Sequence, residues 1–145
     1  VLFIPSGLVS IPISTMLTML GWLGLYRLAP TRPRLKRLLW PMFKDEPIDE
    51  DLIEITEAVL RHMRIESEMP RNVQRSELAN FKAPSLVIAA EKDSLFPANK
   101  VVKRARELFP NLVAAELIPG ATHYLPTRYH AYLNKRIERF LQETK

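Results

Sequence analysis

The sequence contains no cysteine, which excludes disulfide bonds, thiolate metal sites and cysteine nucleophiles. Its three histidines, His62, His123 and His130, are too scattered to indicate a metal-binding cluster. It also has only four glycines, and none of them forms a glycine-rich loop of the kind that holds phosphate groups. We therefore expect neither a metal ion nor an organic cofactor.

The remaining composition is that of an ordinary globular domain, with 47% hydrophobic and 26% charged residues in a chain of 145. Single domains most often contain about 100–150 residues, so the chain is one domain or part of one. A domain of this size buries roughly two-thirds of the surface that its unfolded chain exposes, which allows a hydrophobic core without crosslinks.

The formal net charge of +5 suggests an anionic partner at first sight. The basic residues cluster at 32–37, 100–106 and 135–139, and the last two groups fall on the outer faces of expected amphipathic helices. No aromatic residues alternate with them as a base-stacking surface requires. We interpret these charges as solvated helix faces and expect no nucleic-acid partner. The alternative is a non-catalytic basic α/β module that binds an anionic or protein partner.

Residues 1–26 carry no charged side chain and are numerous enough to cross a bilayer, which takes about 20 residues. Pro5 and Pro12 interrupt the run, and no basic segment typical of a secretory signal precedes it. We therefore interpret 1–4 as a short buried strand, 5–7 as a turn and 13–28 as a buried apolar helix. No membrane span and a cytoplasmic location are expected, with anchoring through 13–28 as the alternative.

Residues 8–80 are expected to be mainly helical. One helix follows the acidic residues 49–51, which suit a helix N-terminus, and its apolar positions are Leu52, Ile55, Val59 and Met63. Breaks between helices are expected at the prolines of this region: Pro30, Pro33, Pro41, Pro47 and Pro70.

The pattern changes after residue 83. The apolar run Ser85–Ala90 is typical of a strand covered on both faces. A helix is predicted from about Pro97 to Phe109, a second strand over 113–118 and a final helix over 129–140. This order predicts a βαβα unit, and therefore an α/β fold with a parallel sheet.

Two loops follow the strands of this unit, residues 91–97 and 120–126. Reactive groups collect at the carboxyl ends of strands in parallel sheets. Asp93 in the first loop and His123 in the second are therefore expected side by side, where the carboxylate can hold one ring nitrogen and leave the other free to act as a base. Asp93 can also cap the helix near Pro97, and Glu91 is the second candidate carboxylate.

In these loops the sequence resembles the C-terminal part of an α/β hydrolase. The resemblance is carried by Leu86–Pro97 and Ile118–His123, extends over 83–143, and is looser over 8–80. The order of a leading strand, a helical lid and the two loops also matches that family. Ala90 and Thr122 stand where the family pattern has glycine, and no G-x-S-x-G occurs anywhere in the 145 residues.

The resemblance implies a domain division into a strand and turn (1–7), a helical lid (8–80) and the C-terminal βαβα unit of a hydrolase core (81–145). It also implies an esterase-like serine hydrolase that forms an acyl-enzyme, with Asp93 as the acid and His123 as the base. The serine nucleophile is expected upstream of this chain, so the chain by itself is expected to be inactive. Ser6 and Ser94 are rejected as nucleophiles because neither stands in such a motif.

If the helical region is a lid, its apolar side chains would face a small apolar ester-like substrate. The candidate substrate-binding residues are Met16, Met19, Leu20 and Trp22. They can equally pack the lid onto the core, which is the usual role of an apolar helical stretch. A partial sheet also exposes an unpaired strand edge, so we expect the chain to pair with the missing N-terminal half or with a copy of itself.

Overall fold

The computed structural model describes residues 1–62 and 71–144. Three strands form a parallel sheet in the order β1 (Leu2–Phe3), β2 (Ser85–Ala90) and β3 (Leu112–Ile118). The described part of the chain also contains five α-helices: α1 (Ile13–Leu28), α2 (Arg32–Phe43), α3 (Glu50–His62), α4 (Ala98–Leu108) and α5 (His130–Glu143). The expected α/β class and parallel sheet are therefore confirmed.

The sheet core is built around β2, in which every residue is buried. Side chains alternate between the two faces of a strand, so the run divides into two sets. Val87 and Ala89 pack with α4, whereas Leu86, Ile88 and Ala90 pack with Phe140 of α5. A strand covered on both sides needs apolar residues at successive positions, which explains the unbroken hydrophobic run of this segment.

The helices between β1 and β2 have a core of their own. Tyr26 of α1 packs against α2 and Ile53 of α3, and the other buried members come from α2: Leu35, Leu38, Leu39 and Phe43. Two short 3₁₀ turns, Arg75–Leu78 and Thr127–Tyr129, complete the ordered elements of the described residues. No helix in residues 1–62 or 71–144 is long and apolar enough to cross a membrane.

Three expectations for the helical region are wrong. The first concerns α1, which has the expected bounds but is not a buried helix, since Tyr26 is its one buried residue. Apolar side chains surround this helix, yet only one side of it meets α2. Five large apolar side chains of this helix are exposed to solvent: Ile13, Leu17, Leu20, Leu25 and Leu28.

The second concerns Pro41, which lies inside α2 and does not break it. Proline removes a single backbone hydrogen bond, and this helix ends two residues later at Phe43, so little helix is lost.

The third concerns α3, where Ile55 and Val59 are exposed and Ile53 is the buried residue. Pro70 and Met63 lie outside the described residues.

The burial of β2 predicts an unequal response to the same mutation in neighbouring strands. Leu86→Ala removes a fully buried side chain and is expected to lower the free energy of unfolding by about 2–5 kcal/mol. Leu117→Ala in β3, where the leucine is 41% exposed, is expected to cost about 1 kcal/mol or less. Urea denaturation followed by circular dichroism measures both, and equal losses would contradict the two-sided burial of β2.

Candidate active site

The carboxyl ends of β2 and β3 bring the two predicted residues into direct contact. Asp93 Oδ2 lies 3.0 Å from His123 Nδ1. The Asp93 side chain is 1% exposed and the His123 side chain is 19% exposed, so the contact is shielded while the ring stays accessible. Of the groups in residues 1–62 and 71–144, Asp93 is the one side chain that hydrogen-bonds to His123.

The second oxygen of the carboxylate is held by its own loop. Asp93 Oδ1 accepts hydrogen bonds from the backbone N–H groups of Leu95, at 2.7 Å, and Phe96, at 2.9 Å. The expectation that Asp93 caps the following helix is therefore wrong in detail, because the amides that it binds precede α4, which begins at Ala98. The loop bonds fix the carboxylate plane and aim Oδ2 at the imidazole.

This geometry determines which imidazole nitrogen carries the proton. An ionised carboxylate can only accept hydrogen bonds, so a neutral His123 places its N–H on Nδ1. Nε2 is then left with a free lone pair and can take a proton from a reacting group. The ring centroid of Phe96 lies 5.5 Å from that of His123 and supports one side of the imidazole.

Two hydrogen bonds between the loops set their spacing, one between backbone groups and one from a backbone N–H to the Glu91 side chain. Lys92 N–H donates to Ala121 O at 2.8 Å, and Gly120 N–H donates to Glu91 Oε2 at 2.7 Å. Glu91, the second candidate carboxylate, thus joins the loops through Gly120 and does not contact the imidazole. Gly120 has φ +71°, and a Cβ there would lie 3.1 Å from the Tyr129 hydroxyl, so the turn requires glycine.

The two residues that depart from the family pattern fit without strain. Ala90 is fully buried at the end of β2 among apolar neighbours. Thr122 is buried as well, and its hydroxyl donates to Tyr124 O at 2.7 Å, so the buried polar group is satisfied.

The helical region holds both loops from outside the sheet. The loop of residues 91–97, which contains Asp93, is called the acid loop below. Thr15 Oγ1 of α1 donates to Ser94 O in this loop at 3.2 Å. The loop of residues 120–126, which contains His123, is called the histidine loop. In it, Tyr124 N–H donates to Met42 O at 3.0 Å, and the Tyr124 ring stacks on Phe43 with centroids 4.4 Å apart. Sequence reasoning missed these contacts, because they join segments about eighty residues apart and have no local signature.

An ion pair adds a further link between the helical region and the segment after the histidine loop. Arg128 Nη1 donates to Glu46 Oε2 at 2.8 Å. The guanidinium hydrogen-bonded to this carboxyl lowers the pKa of Glu46. The pair closes one side of a cavity of about 450 Å³ that is also lined by His130 and Asp49.

The four candidate substrate-binding residues separate into three environments. Met16 lines an apolar cavity together with Phe96. Met19 and Trp22 are half-buried and pack against the core of the helical region. Leu20 is 54% exposed to solvent. Their contact with a substrate stays a prediction for all four, and Met16 is the one that the cavity brings next to Phe96.

The described residues contain neither a cluster of metal ligands nor a serine bonded to His123. Within the described ranges, no three His, Asp or Glu side chains come together in a way that could hold a metal ion. No serine hydroxyl of residues 1–62 or 71–144 hydrogen-bonds to His123. Ser94 takes part through its backbone oxygen, and Ser6 lines the cavity of Met16.

No protein-family model, curated protein or solved structure matches the chain significantly, so the chemistry of the site rests on its own geometry.

The hydrogen bonds of Asp93 predict the outcome of a change that keeps its shape. In Asp93→Asn the amide oxygen is expected to keep the two loop N–H bonds, which turns the amide NH₂ toward His123 Nδ1. Nδ1 must then accept, so the imidazole proton moves to Nε2. The ¹⁵N chemical shifts of the His123 ring nitrogens report this change of tautomer.

Glu91→Gln is the matched control, because it makes the same change in the same loop at a carboxylate bonded to Gly120. It is expected to leave the His123 tautomer as it is. An unchanged tautomer in Asp93→Asn, or the same change in both variants, would contradict the orienting role of Asp93.

Proposed function

We propose that Asp93 and His123 are the acid and base of a serine hydrolase of the α/β-hydrolase type, which acts on carboxylic esters or similar bonds. The observation that carries the proposal is the shielded 3.0 Å contact between Asp93 Oδ2 and His123 Nδ1, with the other carboxylate oxygen held by two backbone amides. The order of the elements supports it, because a parallel strand and a helical region precede the two loops.

In the proposed reaction, His123 Nε2 takes the proton of a serine hydroxyl while the serine oxygen attacks the ester carbonyl carbon. The tetrahedral intermediate then expels the alcohol, which receives that proton from His123, and an acyl-enzyme remains. A water molecule next gives a proton to Nε2 as its oxygen attacks the acyl carbon. Release of the carboxylic acid returns the proton to the serine. Asp93 stabilises the imidazolium in both halves of the cycle.

The proposal requires a serine that these 145 residues do not contain in a G-x-S-x-G motif. We place it in a segment that pairs with this chain, next to the carboxyl edge of the sheet. The backbone donors that stabilise the oxyanion would come from the same segment.

Ion pairing of part of the positive charge weakens the alternative function, which is binding of a polyanion. Many basic side chains form ion pairs with glutamates, which reduces the local positive field that phosphate contacts need. These pairs are Arg32–Glu50, Lys36–Glu50, Arg71–Glu77, Arg104–Glu107, Arg128–Glu46, Arg136–Glu116 and Arg139–Glu143.

A serine-reactive alkyl fluorophosphonate tests the function and locates the nucleophile. We expect the whole protein to be labelled on one serine, which peptide mass spectrometry identifies, and to hydrolyse p-nitrophenyl esters. His123→Gln is expected to slow both reactions by at least about 10³-fold, because the serine loses its base. His130→Gln is the matched control at the start of α5 and is expected to react like the wild type.

Two results would overturn the function. One is that the whole protein carries a G-x-S-x-G serine, yet is not labelled by the fluorophosphonate and does not hydrolyse p-nitrophenyl esters. The other is equal labelling of the wild type and the His123→Gln variant, since a serine independent of His123 is not the nucleophile of this pair.

We also propose that the free side of β1 pairs with a further strand, either from the segment that holds the serine or from a second copy of the chain. β1 is bonded to β2 on one side, through the register Leu2 with Val87 and Phe3 with Ile88, and lies at the edge of the sheet. Its residues are apolar and carry no charge that would discourage pairing.

Sedimentation of the 145-residue chain alone tests whether the free side of β1 pairs with a second copy. We expect reversible association at micromolar concentration, weakened by Val1→Lys, because a lysine beside an edge strand opposes pairing. Val113→Lys is the control at an exposed valine of β3. A stable monomer, or association that only Val113→Lys weakens, would exclude pairing of β1 with a second copy and leave the serine-bearing segment as its partner.

A further inference from the structure

An apolar cavity of about 300 Å³ lies beside the Asp93–His123 pair. It is formed where the turn after β1, the first turn of α1 and the acid loop meet. None of its lining residues carries a charge, and the apolar side chains among them are Val9, Ile11, Ile13, Met16 and Phe96.

Phe96 is the wall that the cavity shares with the candidate site. Its ring lines the cavity and its centroid lies 5.5 Å from that of His123. Its backbone N–H is held by Asp93 Oδ1 at 2.9 Å. A group bound in the cavity therefore lies one side chain away from the imidazole.

Hydrogen bonds hold the walls of the cavity. Gly7 O accepts a hydrogen bond from Val73 N–H at 2.8 Å, and Asn72 Nδ2 donates to Ser10 Oγ at 2.8 Å. Thr15 holds the first turn of α1 against the acid loop through Ser94.

The volume limits the length of the bound group. A water molecule occupies about 30 Å³, and a methylene group is of similar size, so the completely filled cavity holds roughly ten such groups. Ile13 is 71% exposed, so one side of the cavity is open to solvent and a bound chain does not fill it completely. We therefore expect a chain of about six to eight carbons. An uncharged lining disfavours an ionic group inside the cavity, so a bound fatty acid keeps its carboxylate outside the cavity, in solvent.

We propose that this cavity binds an acyl chain of about six to eight carbons, and that medium-chain esters are the substrate class. The identity of the bound group as an acyl chain rests on the proposed hydrolase function. The presence of an alkyl-binding cavity does not depend on it and can be measured without catalysis.

NMR titration of the protein with butyrate, hexanoate, octanoate and dodecanoate tests the cavity. Saturable shifts are expected at Ile13 and Phe96. Affinity is expected to rise roughly three- to fourfold per added methylene up to about eight carbons, and then to level off. Met16→Trp fills the cavity and is expected to weaken octanoate binding at least about tenfold.

Two further variants make this result specific. Ile13→Trp also fills the cavity from a position that is 71% exposed, so the fold tolerates it, and it is expected to weaken octanoate binding like Met16→Trp. Leu28→Trp, at the exposed far end of α1, is the control and is expected to bind octanoate like the wild type. Binding independent of chain length, or equal binding by all four proteins, would overturn the proposal.

The proposal for the cavity and the proposal for the Asp93–His123 pair can be contradicted independently. His123→Gln is expected to bind octanoate normally and to lose ester hydrolysis. Loss of octanoate binding in the two filled variants alone supports the cavity even if no ester is hydrolysed. Ester hydrolysis with no preference for six to eight carbons contradicts the cavity and leaves the catalytic pair intact.

Discussion

The buried carboxylate of Asp93 is the group on which the site depends. Burying a charge is unfavourable unless it is paired and hydrogen-bonded, and Asp93 meets this condition with two loop amides on one oxygen and His123 on the other. The same bonds shape the loop, because the amides belong to Leu95 and to Phe96, whose ring lies beside the imidazole. Loop conformation, orientation of the histidine and one wall of the apolar cavity therefore follow from a single side chain.

The helical region contacts both loops of the candidate site. Thr15 contacts the acid loop, while Met42 and Phe43 contact the histidine loop through Tyr124. The two loops are thus held from the sheet below and from α1 and α2 beside them. A region attached to both loops links the position of the helices to the alignment of Asp93 with His123, and α1 also contributes Ile13 and Met16 to the cavity.

Sequence patterns predict the bounds of an element correctly where the element has a strong local signal. They do not predict its burial where that depends on which other element packs against it. The bounds of β2 and α1 agree with the pattern because an unbroken apolar run and a long proline-free helix have strong local signals. The burial of α1 could not be predicted, because apolar residues on all sides do not reveal which side meets α2. Pro41 was likewise interpreted from its average behaviour, whereas its effect depends on its distance from the helix end.

The order of the elements, and the position of Asp93 and His123 after successive parallel strands, can be predicted from the amino-acid pattern because strand and turn signals are local. Parallel pairing of β2 with β3 then brings the two loops to one edge. Three-dimensional packing is needed to show that Oδ2 of Asp93 meets Nδ1 of His123 and that Glu91 bonds to Gly120 instead. It is also needed to show that Met16 lies at the cavity while Leu20 lies in solvent. These outcomes depend on contacts between residues far apart in the chain, and no local pattern encodes their distances.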